Sequence, residues 1–275
     1  MNPNTTKRLN NGKQIPQLGL GVYKVPAEQV YETVKNALEL GYRHIDTASF
    51  YGNEEGVGKA IKDSGIPREE IFVTTKVWND DHGFERAQEA FAKSLNRLGL
   101  EYVDLYLIHW PVPTIFPETW KALEKVYKDG AAKAIGVSNF LDHHLQELAR
   151  TQEVQPAVDQ IELHPKLVET RTINYCHEKG IAIESWSPLG RATYLDDPLL
   201  VKLGEKYKKS PAQIIIRWHL QRDFVVIPKS TNSERQRENI TVFDFHLDER
   251  DMKLLDQMDE GMRVGSHPNN VSIQK

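Results

Sequence analysis

Cysteine is almost missing from this chain. Cys176 stands alone among 275 residues, so no intrachain disulfide can form, which fits a reducing compartment. No uninterrupted apolar run approaches the length that spans a bilayer. The polar stretch Met1 to Gln14 has no apolar segment like that of a secretory leader. An excess of charge of either sign is missing too. The formal net charge of −4 gives no electrostatic reason to expect nucleic acid or an anionic membrane as partner. There is no Gly-x-x-x-x-Gly-Lys loop, and Gly56-x-Gly58 falls inside an expected helix, so a nucleotide site of the open doubly wound kind is disfavoured. No linker or low-complexity tract divides residues 1–275, which read as one domain. With 39% hydrophobic and 27% charged residues the balance is that of a soluble globular protein, and the expected location is cytoplasmic. Asn4, Asn239 and Asn270 begin Asn-x-Ser/Thr matches that read as chance.

What is present is a rhythm. Asn11-Gly12 between short apolar runs predicts a hairpin. Apolar strands then alternate with amphipathic helices that stop at glycine: Gly41, Gly65, Gly99, Gly130 and Gly180. Strands are expected near residues 19, 44, 73, 106, 135, 159, 183 and 226. Capping boxes are expected at Ser210–Gln213 and Ser233–Gln236. A last helix is expected from Asp248. Eight alternating units predict an α/β (β/α)8 TIM barrel with an N-terminal β-hairpin and extra C-terminal helices.

In such a barrel the carboxyl ends of the strands share one face. Asp46, Lys76 and His109 end the second, third and fourth strands, and Tyr51 follows the second. Singly, His109 is a core histidine and Lys76 a solvated strand end. Together they make a site. Asp46 pairs with Lys76, and the ammonium is expected to lower the Tyr51 phenol from its usual ~10. Tyr51 then exchanges a proton with a carbonyl oxygen while His109 donates a hydrogen bond to it. No serine or cysteine nucleophile is coupled to a base, so carbonyl reduction needs an outside hydride and hence a nicotinamide cofactor. Ser138, Asn139 and Gln160 offer groups for a carboxamide, and Trp186 offers a flat face for the ring. Ser187-Pro188-Leu189-Gly190 is a turn with exposed amides, and Gly21 permits close backbone approach. Lys229, Ser230 and Arg235 at the start of a helix form an anion site, which favours NADPH over NADH. A metal-dependent hydrolase is disfavoured because convergent His and carboxylate ligands are missing.

The motifs Gly41-Tyr42-Arg43-His44-Ile45-Asp46-Thr47-Ala48 with Tyr51, Lys76 after a strand, Ile108-His109-Trp110-Pro111, Gly136-Val137-Ser138-Asn139-Phe140 and Ile227-Pro228-Lys229-Ser230 with Arg235 occur in one order along nearly the whole chain. The sequence resembles the aldo-keto reductases. The resemblance implies a catalytic tetrad of Asp46, Tyr51, Lys76 and His109, with Glu238 and Asn239 on the adenine, and it favours a monomer. The chain departs from many members in having Val22 for Thr, Tyr23 for Trp and Trp186 for Tyr. The short segment from Trp110 to Trp120 and a tail without aromatics are similar to the bacterial branch of glyoxal, methylglyoxal and 2,5-diketo-D-gluconate reductases. That implies a shallow pocket lined by Tyr23, Phe50, Trp78 and Trp110, taking small or polar carbonyl substrates. A keto-sugar reductase is the alternative, and a non-catalytic NADPH-binding regulatory subunit a more remote one.

Overall fold

The computed structural model describes residues 5–271; Asn4 lies outside them. The chain enters through the antiparallel hairpin β1 (Thr6–Arg8) and β2 (Gln14–Pro16), in register Lys7 to Ile15. Gly12 turns it at φ +83°, a conformation that glycine adopts without steric cost. The hairpin covers one end of the barrel. Asn10 and Asn11 donate to the Pro156 and Lys133 carbonyls, while Leu9 and Ile15 pack with Phe72, Leu105 and Val158.

The expected alternation follows: β3 (Leu20–Gly21), α1 (Ala27–Glu39), β4 (His44–Asp46), α2 (Glu54–Asp63), β5 (Phe72–Val77), α3 (Phe84–Leu98), β6 (Leu105–Ile108), α4 (Phe116–Lys128), β7 (Ile135–Ser138), α5 (Asp142–Leu148), β8 (Val158–Glu162), α6 (Thr170–Lys179), β9 (Ala182–Trp186), α7 (Pro198–Tyr207), α8 (Pro211–Gln221), β10 (Val225–Val226), α9 (Ser233–Ile240) and α10 (Glu249–Asp256). Strands β3 to β10 form one parallel eight-stranded sheet in sequence order. Its two edges meet. Leu18 bridges Val226, the Gly19 amide donates to the Val226 carbonyl at 2.9 Å, and the Val226 amide donates to the Gln17 carbonyl at 2.8 Å. Parallel strands of this kind are covered by helices on one side, so they read as nearly unbroken apolar runs. Val30, Val34, Ala37 and Leu38 are the buried stripe of α1, spaced as one helical face requires.

Gly21 takes part in the closure. A β-carbon there would stand 3.0 Å from the Ile227 carbonyl oxygen, so its missing side chain serves the meeting of β3 with the last strand.

Two local expectations change. Helix α9 is capped by Asn232, whose Oδ1 accepts from the Arg235 amide at 2.9 Å. The cap therefore lies one residue before the one expected at Ser233. Gln236 is buried and donates instead to the Thr33 and Ser230 carbonyls, tying α9 to α1. Helix α7 was not among the expected elements. Its signal is Asp197-Pro198, a cap followed by proline at the first helical position. Leu200 and Leu203 seat it against Ile214 and Trp218 of α8.

Candidate active site

The polar strand ends gather at one mouth of the barrel. Lys76 lies near the end of β5 and is fully buried. Its Nζ donates to Asp46 Oδ1 at 2.6 Å, to the Thr47 carbonyl at 2.8 Å and to Tyr51 Oη at 3.4 Å. Three acceptors satisfy the three ammonium hydrogens, which is what keeps a cation tolerable in a dry interior. The short 3₁₀ turn Ser49–Tyr51 after β4 brings the phenol back over the strands. The Tyr51 ring meets His109 edge-on at 5.7 Å between centroids.

Electrostatics sort the proton donors. Burial first, and then the Asp46 charge, hold the Tyr51 phenol well above its ordinary range. The expected lowering by Lys76 is therefore not the net direction. Asp46 offsets the ammonium, and a neutral pair leaves too weak a field to overcome desolvation. Tyr51 rests protonated. Burial, with help from Lys76 and His82, holds the His109 imidazole well below its ordinary range. His109 is therefore neutral. It can donate a hydrogen bond to an oxygen but has no extra proton to transfer.

The next strands form a second network. Gln160 Nε2 donates to Asp46 Oδ2 at 2.7 Å and to Glu184 Oε2 at 3.0 Å. Both amide hydrogens are in use, which leaves the Gln160 side-chain oxygen, Oε1, as the group able to accept from a carboxamide. Ser138 Oγ donates to the Gln160 main-chain carbonyl, and Asn139 Nδ2 donates to Ser138 Oγ and the His109 main-chain carbonyl. Asn139 Oδ1 accepts from Trp186 Nε1 at 2.8 Å. Asn139 thus fixes both the histidine loop and the indole, and it does so at φ +63°, a region that asparagine tolerates better than most residues.

Trp186 is held on its far edge by the C-terminal segment. Glu162, paired in register with Trp186, accepts from the Val264 amide at 2.6 Å and the Gly265 amide at 2.9 Å. A β-carbon on Gly265 would lie 2.3 Å from Trp186 Cη2 and 2.8 Å from Glu162 Oε2. Gly265→Ala is therefore expected to cost about 1–3 kcal/mol as an overpacked site, read as a lower urea midpoint; an unchanged midpoint would contradict this packing. Residue numbers alone gave no sign of the Glu162 clamp, since its partners are backbone amides about a hundred residues downstream.

The remaining expected residues lie around the rim. Tyr23 and Phe50 are exposed, and Phe50 stacks on Trp78 at 3.7 Å between centroids. Trp110, half-buried, lies beyond His109 with ring centroids 6.5 Å apart. Ser187 opens its turn at φ +47°, and the Gly190 amide donates to the Ser187 carbonyl. Leu189 is half-buried within that turn. Lys229 and Arg235 are exposed at the start of α9. Ser230 is buried, and its Oγ accepts from the Asn232 amide. Glu238 does not present a free carboxylate: it accepts from the Ser210 hydroxyl. Asn239 is buried. Among the described residues no three His, Cys, Asp or Glu side chains converge as a metal site.

The sequence model of the aldo/keto reductase family matches residues 16–260. This chain belongs to the aldo/keto reductase family. Glyoxal reductase of Bacillus subtilis (strain 168) is 50% identical over 267 residues, covering 97% of each chain. Methylglyoxal reductase DkgA of Escherichia coli (strain K12) is 47% identical over 269 residues, covering 96% of this chain and 97% of the relative. Among solved structures, a mutant of Gox0644 in complex with NADPH superposes with a TM-score of 0.94 at 44% identity, covering 98% of this chain and 99% of that one. Like these relatives, this aldo/keto reductase is an oxidoreductase on a (β/α)8 barrel.

Proposed function

We propose that the protein reduces small aldehydes and ketones, glyoxal and methylglyoxal among them, to alcohols with NADPH, and that Tyr51 supplies the proton. The observation that carries this reading is the Tyr51 hydroxyl 3.4 Å from Lys76 Nζ at the barrel mouth, with the His109 ring edge-on beside it; burial favours the protonated phenol and the neutral imidazole. NADPH supplies the hydride. His109 donates a hydrogen bond to the carbonyl oxygen and orients it. As negative charge grows on that oxygen, the Tyr51 O–H passes its proton across, and Lys76 steadies the phenolate left behind. Asp46 keeps Lys76 in place and does not itself touch the substrate. The aromatic rim of Tyr23, Phe50, Trp78 and Trp110 shields the oxygen from bulk water, which strengthens each of these contacts.

The chain fits the cofactor. Lys229 and Arg235 form no ion pair among the described residues, and both are exposed at the start of α9. That donor set suits the extra phosphate of NADPH. Trp186 presents an indole face fixed by Asn139. Ser138, Asn139 and Gln160 would hold the carboxamide, while Gly21 and the turn with Ser187 and Leu189 would offer backbone to the cofactor. Glu238 stays with Ser210 unless it exchanges that bond for adenine, whereas Asn239 lies on the same helix turn.

Purified protein is expected to consume NADPH when given methylglyoxal, glyoxal or an aromatic aldehyde. Arg235→Ala should raise the KM for NADPH about tenfold or more, one charge-assisted contact being worth about 1.5–3 kcal/mol. The KM for NADH should move little. No turnover across a panel that includes 2,5-diketo-D-gluconate would overturn the assignment, and preferential use of that keto sugar would move it to the sugar reductases. An equal loss with both cofactors would remove the phosphate role from Arg235.

A further inference from the structure

Beneath the strand ends the barrel holds a second carboxyl group that proton donation as described leaves unused. Glu184, in the middle of β9, is fully buried. Its Oε2 accepts from Gln160 Nε2 at 3.0 Å, and the same nitrogen donates to Asp46 Oδ2 at 2.7 Å. One amide nitrogen thus ties two carboxyl groups together in a place without water contact. Two like charges that close in dry surroundings do not both persist. The neighbours decide which gives way. Asp46 has Lys76 at 2.6 Å, whereas no lysine or arginine among the described residues forms an ion pair with Glu184.

What Glu184 does face is His44, whose Nε2 lies 3.4 Å from Oε1. The other ring nitrogen of His44, Nδ1, is 3.3 Å from the Pro16 carbonyl, an obligate acceptor. With its proton on Nδ1, a neutral His44 presents a lone pair at Nε2. That lone pair has the Thr74 hydroxyl at 3.3 Å, and Glu184 Oε1 has no hydrogen-bond partner. A buried carboxyl oxygen without a partner is tolerated far better on a neutral acid than on a carboxylate.

We propose that Glu184 is a positioning residue for carbonyl reduction: as a neutral acid it holds the Gln160 amide on Asp46 and so keeps Lys76 turned to Tyr51, and losing its proton places a second negative charge beneath that pair. This rests on Tyr51 as proton donor. The groups that face Glu184 are His44 and Asp46 from β4, Lys76 from β5 and Gln160 from β8, with Tyr51 beyond Lys76 and Thr74 of β5 on His44. On its other side β10 brings Val225, which is in register with it. From α8, His219 bonds Ser185.

Burial, reinforced by the Asp46 charge, pushes the Glu184 carboxyl up to about 8. Its ionisation also raises the Tyr51 phenol further, which opposes the developing phenolate. Reduction is therefore expected to slow as pH rises through about 8. The linkage has the sign of a raised acid. Its stabilisation is fully present below the unfolded value of ~4.3 and is lost as pH rises through the folded value.

The test compares wild type, Glu184→Gln and Glu184→Leu by kcat and by Tm from about pH 6 to pH 10. Glutamine keeps a neutral, hydrogen-bonding group in the same place; leucine does not. Glu184→Leu is expected to lose about fivefold or more in kcat at the acid end, equivalent to about 1 kcal/mol. Glu184→Gln is expected to recover that loss, to carry the alkaline limb of kcat a unit or more higher, and to remove the fall in Tm that wild type shows from about pH 6 up to about 8. Superimposed pH profiles for wild type and Glu184→Gln, or a leucine variant as active as glutamine, would overturn the proposal. The Tm arm reads the ionisation without turnover. A wild type inactive on every carbonyl, or an active Tyr51→Phe, would instead count against the function proposed above.

Discussion

Lys76→Met is expected to lower stability at neutral pH by about 3–5 kcal/mol, the cost of leaving one member of a buried ion pair unpaired, and to abolish reduction. Asp46 would keep the Gln160 amide and nothing cationic. Burial already pushes its carboxyl up even with Lys76 present, so in the variant Asp46 takes up a proton to escape the unpaired charge. An acid whose folded value is raised contributes stability at low pH that is lost as pH rises through that value. The gap between variant and wild type should therefore narrow in acid and widen towards neutral pH. Urea denaturation at several pH values measures it. Asp46→Asn combined with Lys76→Met removes both charges and keeps an acceptor for the Gln160 amide. That pair should regain most of the stability and none of the activity. A single variant as stable as wild type at neutral pH would show that the pair is not sealed from water.

The sequence carried the barrel because each strand sits in a short apolar run and most helices end in a glycine or a proline-led cap. It carried Asp46, Tyr51, Lys76 and His109 because polar residues closing apolar runs are conspicuous, and barrel topology brings neighbouring strand ends together. It did not carry the direction of the Tyr51 shift. That depends on how completely the phenol is buried and on Asp46 cancelling Lys76, neither of which is a property of spacing. The Asn139 to Trp186 bond and the Glu162 hold on Val264 and Gly265 were equally out of reach, since they join positions set by the closure of the whole barrel. Glu184 drew no reading from the sequence, being one acid inside the strand that ends at Trp186. Its meaning came only with the Gln160 amide that joins it to Asp46. The resemblance implies that Glu238 meets the adenine; the Ser210 hydroxyl that donates to its carboxylate was not legible from spacing.

Tyr51→Phe has the other large expected effect. Phenylalanine keeps the ring against His109 and Tyr23 and removes only the hydroxyl. The Lys76 ammonium loses its longest contact and keeps Asp46 and the Thr47 carbonyl, so the fold should be little changed. What disappears is the group that moves a proton. A positioned general acid is worth roughly 10²–10⁴ in rate. Neutral His109 cannot replace it, because it would have to become an imidazolate. A fall in kcat with intact cofactor binding is the signature of an interaction made in the transition state and not in the ground state.

The most direct measurement is kcat for methylglyoxal reduction at saturating NADPH in wild type and Tyr51→Phe, with the NADPH Kd of each measured by fluorescence titration. The expected result is a loss of about 10² or more in kcat with Kd unchanged within about twofold, a difference of about 0.4 kcal/mol. A Tyr51→Phe protein that retains most of its turnover would contradict the assignment of Tyr51 as the proton donor.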